Sequence, residues 1–202
     1  MSNKKADKKT IDKTIEALKE HGINTVLVEN LKEAKQVVTD EIPKKSEVMT
    51  MVSVTLDQAE ITKEIDESGK YKSLKTELYK LDPAKDSDKM RKLAAAPDYV
   101  IGSANAVSED GALYWASATG SQLGAYAYTA GKVILVVGVN KIVKNREEAI
   151  LRIYDYILPI ESERARKAYG VPGSAVNKLL EISGEVNPAR ILVILVNEPA
   201  GY

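Results

Sequence analysis

The sequence predicts one α/β domain built on a mostly parallel sheet. Two apolar runs, Val133 to Val139 and Ile191 to Val196, have strand length and no polar face, the mark of strands covered on both sides. Other segments carry apolar residues at three- and four-residue spacing, as in Ile11, Ile15 and Leu18, the pattern of a helix with one buried stripe. The composition agrees: 44% of residues are hydrophobic, yet there is no Phe, one Trp and ten Tyr. Val, Ile, Leu and Ala must fill the core, a mixture suited to parallel strands under helices.

The first helix runs from Ile11 to a stop at Gly22, with His21 in its last turn, where a cationic ring favours the helix dipole. Thr25 to Val28 reads as a short strand and Leu31 to Thr39 as a helix whose inner face is Ala34, Val37 and Val38. After the turn at Ile42-Pro43, Val48 to Val54 is a β-branched strand, and Thr55 to Ile65 returns to helical spacing. Leu74, Leu78 and Leu81, then Met90, Leu93 and Ala94, mark two helices in a charged connection.

Asp98 to Ser103 is a further strand. Ala104 to Ser108 and Ala112 to Ala116 form a hairpin around Glu109-Asp110-Gly111, since Asp-Gly is a strong turn signal. A small-residue helix, Gln122 to Ala130, ends at Gly131 and leads into the strand from Lys132 to Val139. A long helical segment, Arg146 to Tyr169, is interrupted by Pro159, and Ala189 to Asn197 closes the sheet. At 202 residues, without repeat or linker, the chain reads as one domain over 1–202, with the lysine-rich run 1–9 as a flexible tail.

Twenty-nine basic residues balance twenty-nine acidic ones, so no net field draws the protein to nucleic acid or an anionic membrane. A small molecule or a protein is the expected partner, with a homo-oligomer as an alternative assembly. No run reaches the roughly 18 apolar residues of a membrane span, and 1–9 lacks the apolar core of a signal peptide. The absence of Cys removes disulfides and thiolate-held clusters from this chain. These features predict a cytoplasmic protein with no cofactor of its own. His21 is the one histidine and has no strong metal ligand near it in sequence, so no metal site is expected.

Three segments can carry chemistry. Ala118-Thr119-Gly120-Ser121-Gln122 passes from a strand through a glycine turn into a helix, where unpaired N–H groups can bind an anion; Thr119 or Ser121 can equally cap the helix. Glu109 and Asp110 stand at a hairpin tip, a solvated turn unless Glu109 is desolvated to act as nucleophile or base. Lys141, and less so Lys144, come directly after the strongest strand, at the edge where open α/β sheets bind ligands. Gly124 to Lys132 is not a phosphate-binding P-loop: six residues separate its glycines and Val133 stands where Ser or Thr holds magnesium.

Taken together, Tyr99-Val-Ile-Gly-Ser-Ala-Asn105-Ala-Val-Ser-Glu109-Asp-Gly111, Ala116-Ser-Ala-Thr-Gly-Ser-Gln122 and Val136-Val-Gly-Val-Asn-Lys-Ile-Val-Lys144 resemble the LUD domain family, named for lactate utilization. The resemblance extends to Val52-Ser53-Val54-Thr55-Leu56, Arg152, Leu158-Pro159 and Ser174 to Lys178, about three quarters of the chain. It implies a three-layer α/β/α sandwich of the kind shared by ribose-5-phosphate isomerase, glucosamine-6-phosphate deaminase and CoA transferases. It also implies a part in oxidising L-lactate to pyruvate beside separate iron–sulfur partner subunits.

Many relatives have glycines near Met51-Val52 and Glu60-Ile61, and an arginine where this chain has Ser121-Gln122. The expected ligand is a small carboxylate or phosphorylated metabolite between Asn105, Glu109, Asp110, Thr119, Gly120, Ser121, Gln122 and Lys141, with Ser53 and Thr55 added by the resemblance. That site requires the hairpin tip and the glycine turn to meet beside one sheet edge. Two functions compete with the ligand-binding subunit. One is CoA-transferase-like acyl transfer with Glu109 as nucleophile, since Ser108-Glu109-Asp110-Gly111 is similar to the Ser-Glu-Asn-Gly of those enzymes. The other is a non-catalytic regulatory module.

Overall fold

A computed structural model describes residues 4–202. The first part of the expected tail, residues 1–3, lies outside the described residues. Asp7 accepts from the Thr10 N–H and starts α1 (Lys8–Glu20), three residues before the apolar stripe begins. Capping thus sets the helix start, and burial of Ile11 and Leu18 fixes its inner face.

The chain continues through β1 (Asn24–Val28), α2 (Leu31–Glu41), β2 (Glu47–Thr50), α3 (Val54–Gln58), α4 (Ile61–Glu67), β3 (Lys72–Ser73), α5 (Leu74–Leu78), α6 (Ser87–Ala95) and β4 (Tyr99–Gly102). The helix expected over Thr55 to Ile65 is two helices. Glu60 takes φ +54°, a left-handed form that breaks the α-helical run. Here the chain carries an L side chain in a conformation that glycine adopts freely.

The hairpin comes next as β5 (Ala106–Ser108) and β6 (Leu113–Ser117), antiparallel as expected, with Gly111 at φ +84° in the turn. A π turn (Ala125–Thr129) then leads to β7 (Lys132–Gly138), a short 3-10 turn (Val139–Lys141) and β8 (Ile142–Val143). The long helical segment is α7 (Arg146–Leu151), a second π turn (Arg152–Ile157) and α8 (Leu158–Tyr169). Pro159 therefore does not break the helix. The turn before it widens, and the Leu158 N–H reaches the carbonyl of Ile153, so the proline, which lacks a donor, falls in the first turn of α8. β9 (Lys178–Ile182) and β10 (Ile191–Val196) complete the fold.

Six strands form the central sheet in the order β1-β10-β7-β4-β2-β3, all parallel, with Leu195 opposite Val137 and Gly102 opposite Leu135. One face is closed by α2, α3 and α4, which pack Ala34, Val38, Leu56 and Ile61 onto Ile134, Val136 and Ile194. On the other face Leu18, Trp115 and Tyr126 cover Val133, Leu135 and Val193. This is the three-layer α/β/α arrangement on a parallel sheet. The second face also carries a small sheet, β8-β5-β6-β9, whose outer side is covered by α7 and the second π turn through Ala149, Ile153 and Ile157. Among the described residues no helix is long and apolar enough to cross a membrane.

Candidate functional site

Parallel strands send all their C-terminal ends to one edge, and ligands of open α/β sheets bind in the crevice outside that edge. Here the loops after β2, β4 and β7 deliver Ser53, Ser103 and Lys141 to a cavity of about 730 Å³. Trp115 and Tyr126, stacked with ring centroids 5.0 Å apart, contribute to its apolar wall. Ile153, Ile157 and Glu161 from the second π turn and α8 line it as well.

The central group is Lys141, only 3% exposed. Its Nζ donates to Thr55 Oγ1 at 3.0 Å and to Ser103 Oγ at 3.1 Å. No carboxylate forms an ion pair with it among the described residues. Burial holds the amine far below the ordinary lysine range, at about 7, and the nearby Arg152 guanidinium pushes in the same direction.

Arg152, 2% exposed, is a second buried cation. Its Nε donates to the Asn105 carbonyl at 3.1 Å, its guanidinium lies 4.9 Å from the centre of the Tyr156 ring, and its Nη2 has no hydrogen-bond partner among the described residues. Asn105 in turn accepts at Oδ1 from the Ala116 N–H at 2.7 Å. The other cations of the cavity are neutralised: Lys75 lies 3.6 Å from Asp66, and Arg164 is clamped by Glu161. Lys141 is thus the lining cation left to meet an anion from solvent.

Of the residues singled out in the sequence, Ser53, Thr55, Asn105, Thr119, Ser121, Gln122 and Lys141 line this cavity. Gly120 lies in the same turn at φ +83°. The turn is not an anion-binding helix start. Its N–H groups are taken locally, Gly120 N by Ser117 Oγ at 2.8 Å and Ser121 N by Thr119 Oγ1 at 3.3 Å. Beyond it the chain forms a short turn that widens to the π form, not the regular helix expected over Gln122 to Ala130.

Glu109 and Asp110 lie elsewhere. An antiparallel hairpin carries its tip away from its outer strand ends, and here Asn105 and Ser117 are at the outer ends. The tip therefore stands roughly 20 Å along β6 from Ser117, at about 3.4 Å per residue, and does not meet the glycine turn. Glu109 accepts from Lys13 Nζ of α1 at 2.9 Å, and the His21 ring contacts the Gly111 carbonyl at 3.2 Å. His21 caps the end of α1, a structural place. Lys144 is exposed beyond β8. Among the described residues no group of three or more His, Cys, Asp or Glu is arranged to hold a metal ion.

Sequence reasoning missed Ser103 and Arg152 as site residues. Ser103 had a readable signal: like Lys141, it is among the first polar residues after a buried parallel strand. Arg152 was marked only by the family resemblance, since by spacing an arginine four residues from Glu148 and three from Asp155 in a helical segment reads as a solvated one.

The LUD domain family model matches residues 11–196. The chain belongs to the LUD domain family. A solved structure with the same fold is that of a DUF162 family protein from Deinococcus radiodurans, at 1.70 Å resolution. It is 12% identical, with a TM-score of 0.56, over 97% of this chain and 99% of that one. No curated protein matches the sequence. In this LUD domain the cavity is lined by residues of the matched span, Lys141 among them, and by Tyr202 beyond it.

Proposed function

We infer that this LUD domain is a ligand-binding subunit of L-lactate utilization, taking a small carboxylate in the cavity at the C-terminal edge of the central sheet. The observation that carries this reading is the buried Lys141 Nζ, held by two hydroxyls and paired with no carboxylate among the described residues. A bound carboxylate supplies the counter-charge that the protein withholds, and in a dry site such a pair is stronger than in water. Trp115 and Tyr126 give an apolar wall for a short carbon skeleton, and Asn105 and Gln122 offer amides to its polar substituents.

The chain contains no Cys, so it has no thiolate set for an iron–sulfur cluster. Electrons from lactate oxidation therefore belong, in this reading, to iron–sulfur partner subunits. Thermal unfolding with L-lactate, pyruvate and phosphorylated three-carbon acids tests the site. A ligand at a hundred times its Kd stabilises by about 2.7 kcal/mol. Stabilisation by lactate or pyruvate that disappears in Lys141→Met supports the reading. Absence of any shift, or an unchanged shift in Lys141→Met, overturns it, and a shift by phosphorylated acids alone moves the substrate class.

A further inference from the structure

We propose that Lys141 attacks the carbonyl of a 2-oxo acid bound in the cavity and holds it as a covalent imine. The inference rests on the carboxylate-binding reading of the same cavity and extends it from ion pairing to bond formation.

Geometry carries the argument. Nζ makes two hydrogen bonds, both to hydroxyl oxygens, Thr55 Oγ1 and Ser103 Oγ. Those hydroxyls have carbonyl acceptors of their own, Ala200 O for Thr55 and Ala104 O for Ser103, so they present lone pairs to the lysine. A neutral amine has two N–H groups, which these two acceptors match, and its lone pair remains free to attack. An ammonium would carry a third proton with no acceptor among the described residues. Lysines of depressed pKa in apolar pockets or beside another cation are the ones that act as amine nucleophiles, and Lys141 meets both conditions through its burial and Arg152. Asp57, Lys75, Glu161 and Arg164 also line the cavity; Arg152 is the charge that acts on Lys141.

The step balances without oxidant or reductant. The amine lone pair forms the N–C bond as the carbonyl π bond opens, giving a carbinolamine. One amine proton passes to the former carbonyl oxygen, with the Ser103 hydroxyl in contact to relay it. The second amine proton passes to the carbinolamine hydroxyl as the C–O bond breaks, so that water departs and the C–N double bond forms. Protonated from solvent, the product is an iminium whose positive charge lies beside the acid's own carboxylate, an ion pair that the neutral amine could not form before the bond was made. L-Lactate has a hydroxyl in place of the 2-oxo group and binds without this bond.

The test is reductive trapping of the full chain with pyruvate and cyanoborohydride at about pH 7.5, read by intact mass and peptide mapping. An ordinary lysine is almost wholly protonated there, so the expected result is one reduced adduct, on Lys141, at least roughly tenfold above any exposed lysine such as Lys144. Lys141→Arg, checked for cooperative unfolding, loses it. Parallel thermal shifts separate the two claims. If lactate and pyruvate stabilise the protein but no Lys141 adduct forms, or adducts scatter over surface lysines, the imine is wrong and the binding site stands. If neither ligand shifts unfolding and no adduct forms, both fail.

Discussion

Arg152 Nε donates to the backbone carbonyl of Asn105 at 3.1 Å, so the guanidinium that repels Lys141 also fixes the strand start that carries an amide into the cavity. Lys141 and Arg152 are both buried, and the charge of the second acts against protonation of the first, which shapes the stability of the fold.

Lys141 titrates at about 7 in the fold against an ordinary value of 10.5. Between those values the unfolded chain binds the extra proton, so this group's contribution to stability rises with pH from about 7 to about 10.5 and carries its full cost below 7. Lys141→Met is expected to be more stable than the parent at pH 6 by about 2 to 4 kcal/mol and to lose that rise. Denaturant unfolding at pH 6, 8 and 10 measures it; equal stability at pH 6 would place the lysine in water.

Removing the second cation moves the first. Arg152→Met is expected to raise the titration point of Lys141 toward the ordinary range without restoring it, since burial is the larger cause. The lost bond to Asn105 costs about 1 kcal/mol, partly offset by removing an unpartnered Nη2. Pyruvate trapping as a function of pH reads the shift; an unmoved profile would mean that Arg152 does not act on Lys141.

Glu109 holds the hairpin tip to α1 through Lys13. Because Lys13 is well exposed, Glu109→Gln is expected to cost no more than about 1 kcal/mol and to leave ligand-induced thermal shifts unchanged. It is also expected that acyl-CoA forms no ester on Glu109, as intact mass would report. Loss of binding in this variant would bring the tip back into the site.

Gly102 ends β4 directly under Tyr126. A β-carbon there would stand 1.9 Å from the tyrosine Oη and 2.8 Å from Cζ, and the ring is held by its stack on Trp115. Gly102→Ala is expected to destabilise by about 1 to 3 kcal/mol and to weaken ligand binding. Adding Tyr126→Phe removes the nearer clash and is expected to recover part of the loss in thermal unfolding; no recovery would locate the strain in the backbone.

Glu60 occupies a left-handed backbone position with one loose ion pair, 3.6 Å to Lys35. Glu60→Gly is expected to change stability by between zero and about 1 kcal/mol in the stabilising direction, the relieved strain being set against greater freedom of the unfolded chain. Chemical denaturation decides; a clear loss would mean that the charge matters more than the backbone.

The central strands were legible because their residues are apolar without interruption: Val133 to Val137 and Ile191 to Val196 are buried throughout. The hairpin was legible from Gly111. β9 was not, because Lys178 and Leu179 are both exposed and leave no alternation to read, and β3 is too short for a period. Lys141 could be found from its place after β7. The siting of Glu109 could not, since a turn's spacing says nothing of which end of the sheet the hairpin points to. The break at Glu60 was hidden by apolar spacing that continues smoothly across it.

The π turn before Pro159 also sets the rotation of α8. It accommodates one residue more than an α-helical turn of the same rise, and one residue is about 100° of rotation around a helix axis. Every side chain after it is swung by that angle, which brings Glu161, Arg164 and Ala165 round to the cavity. The chamber wall is thus set by hydrogen-bond register, and the loss of a single residue between 152 and 157 would turn that wall outward while leaving every one of its side chains in the sequence.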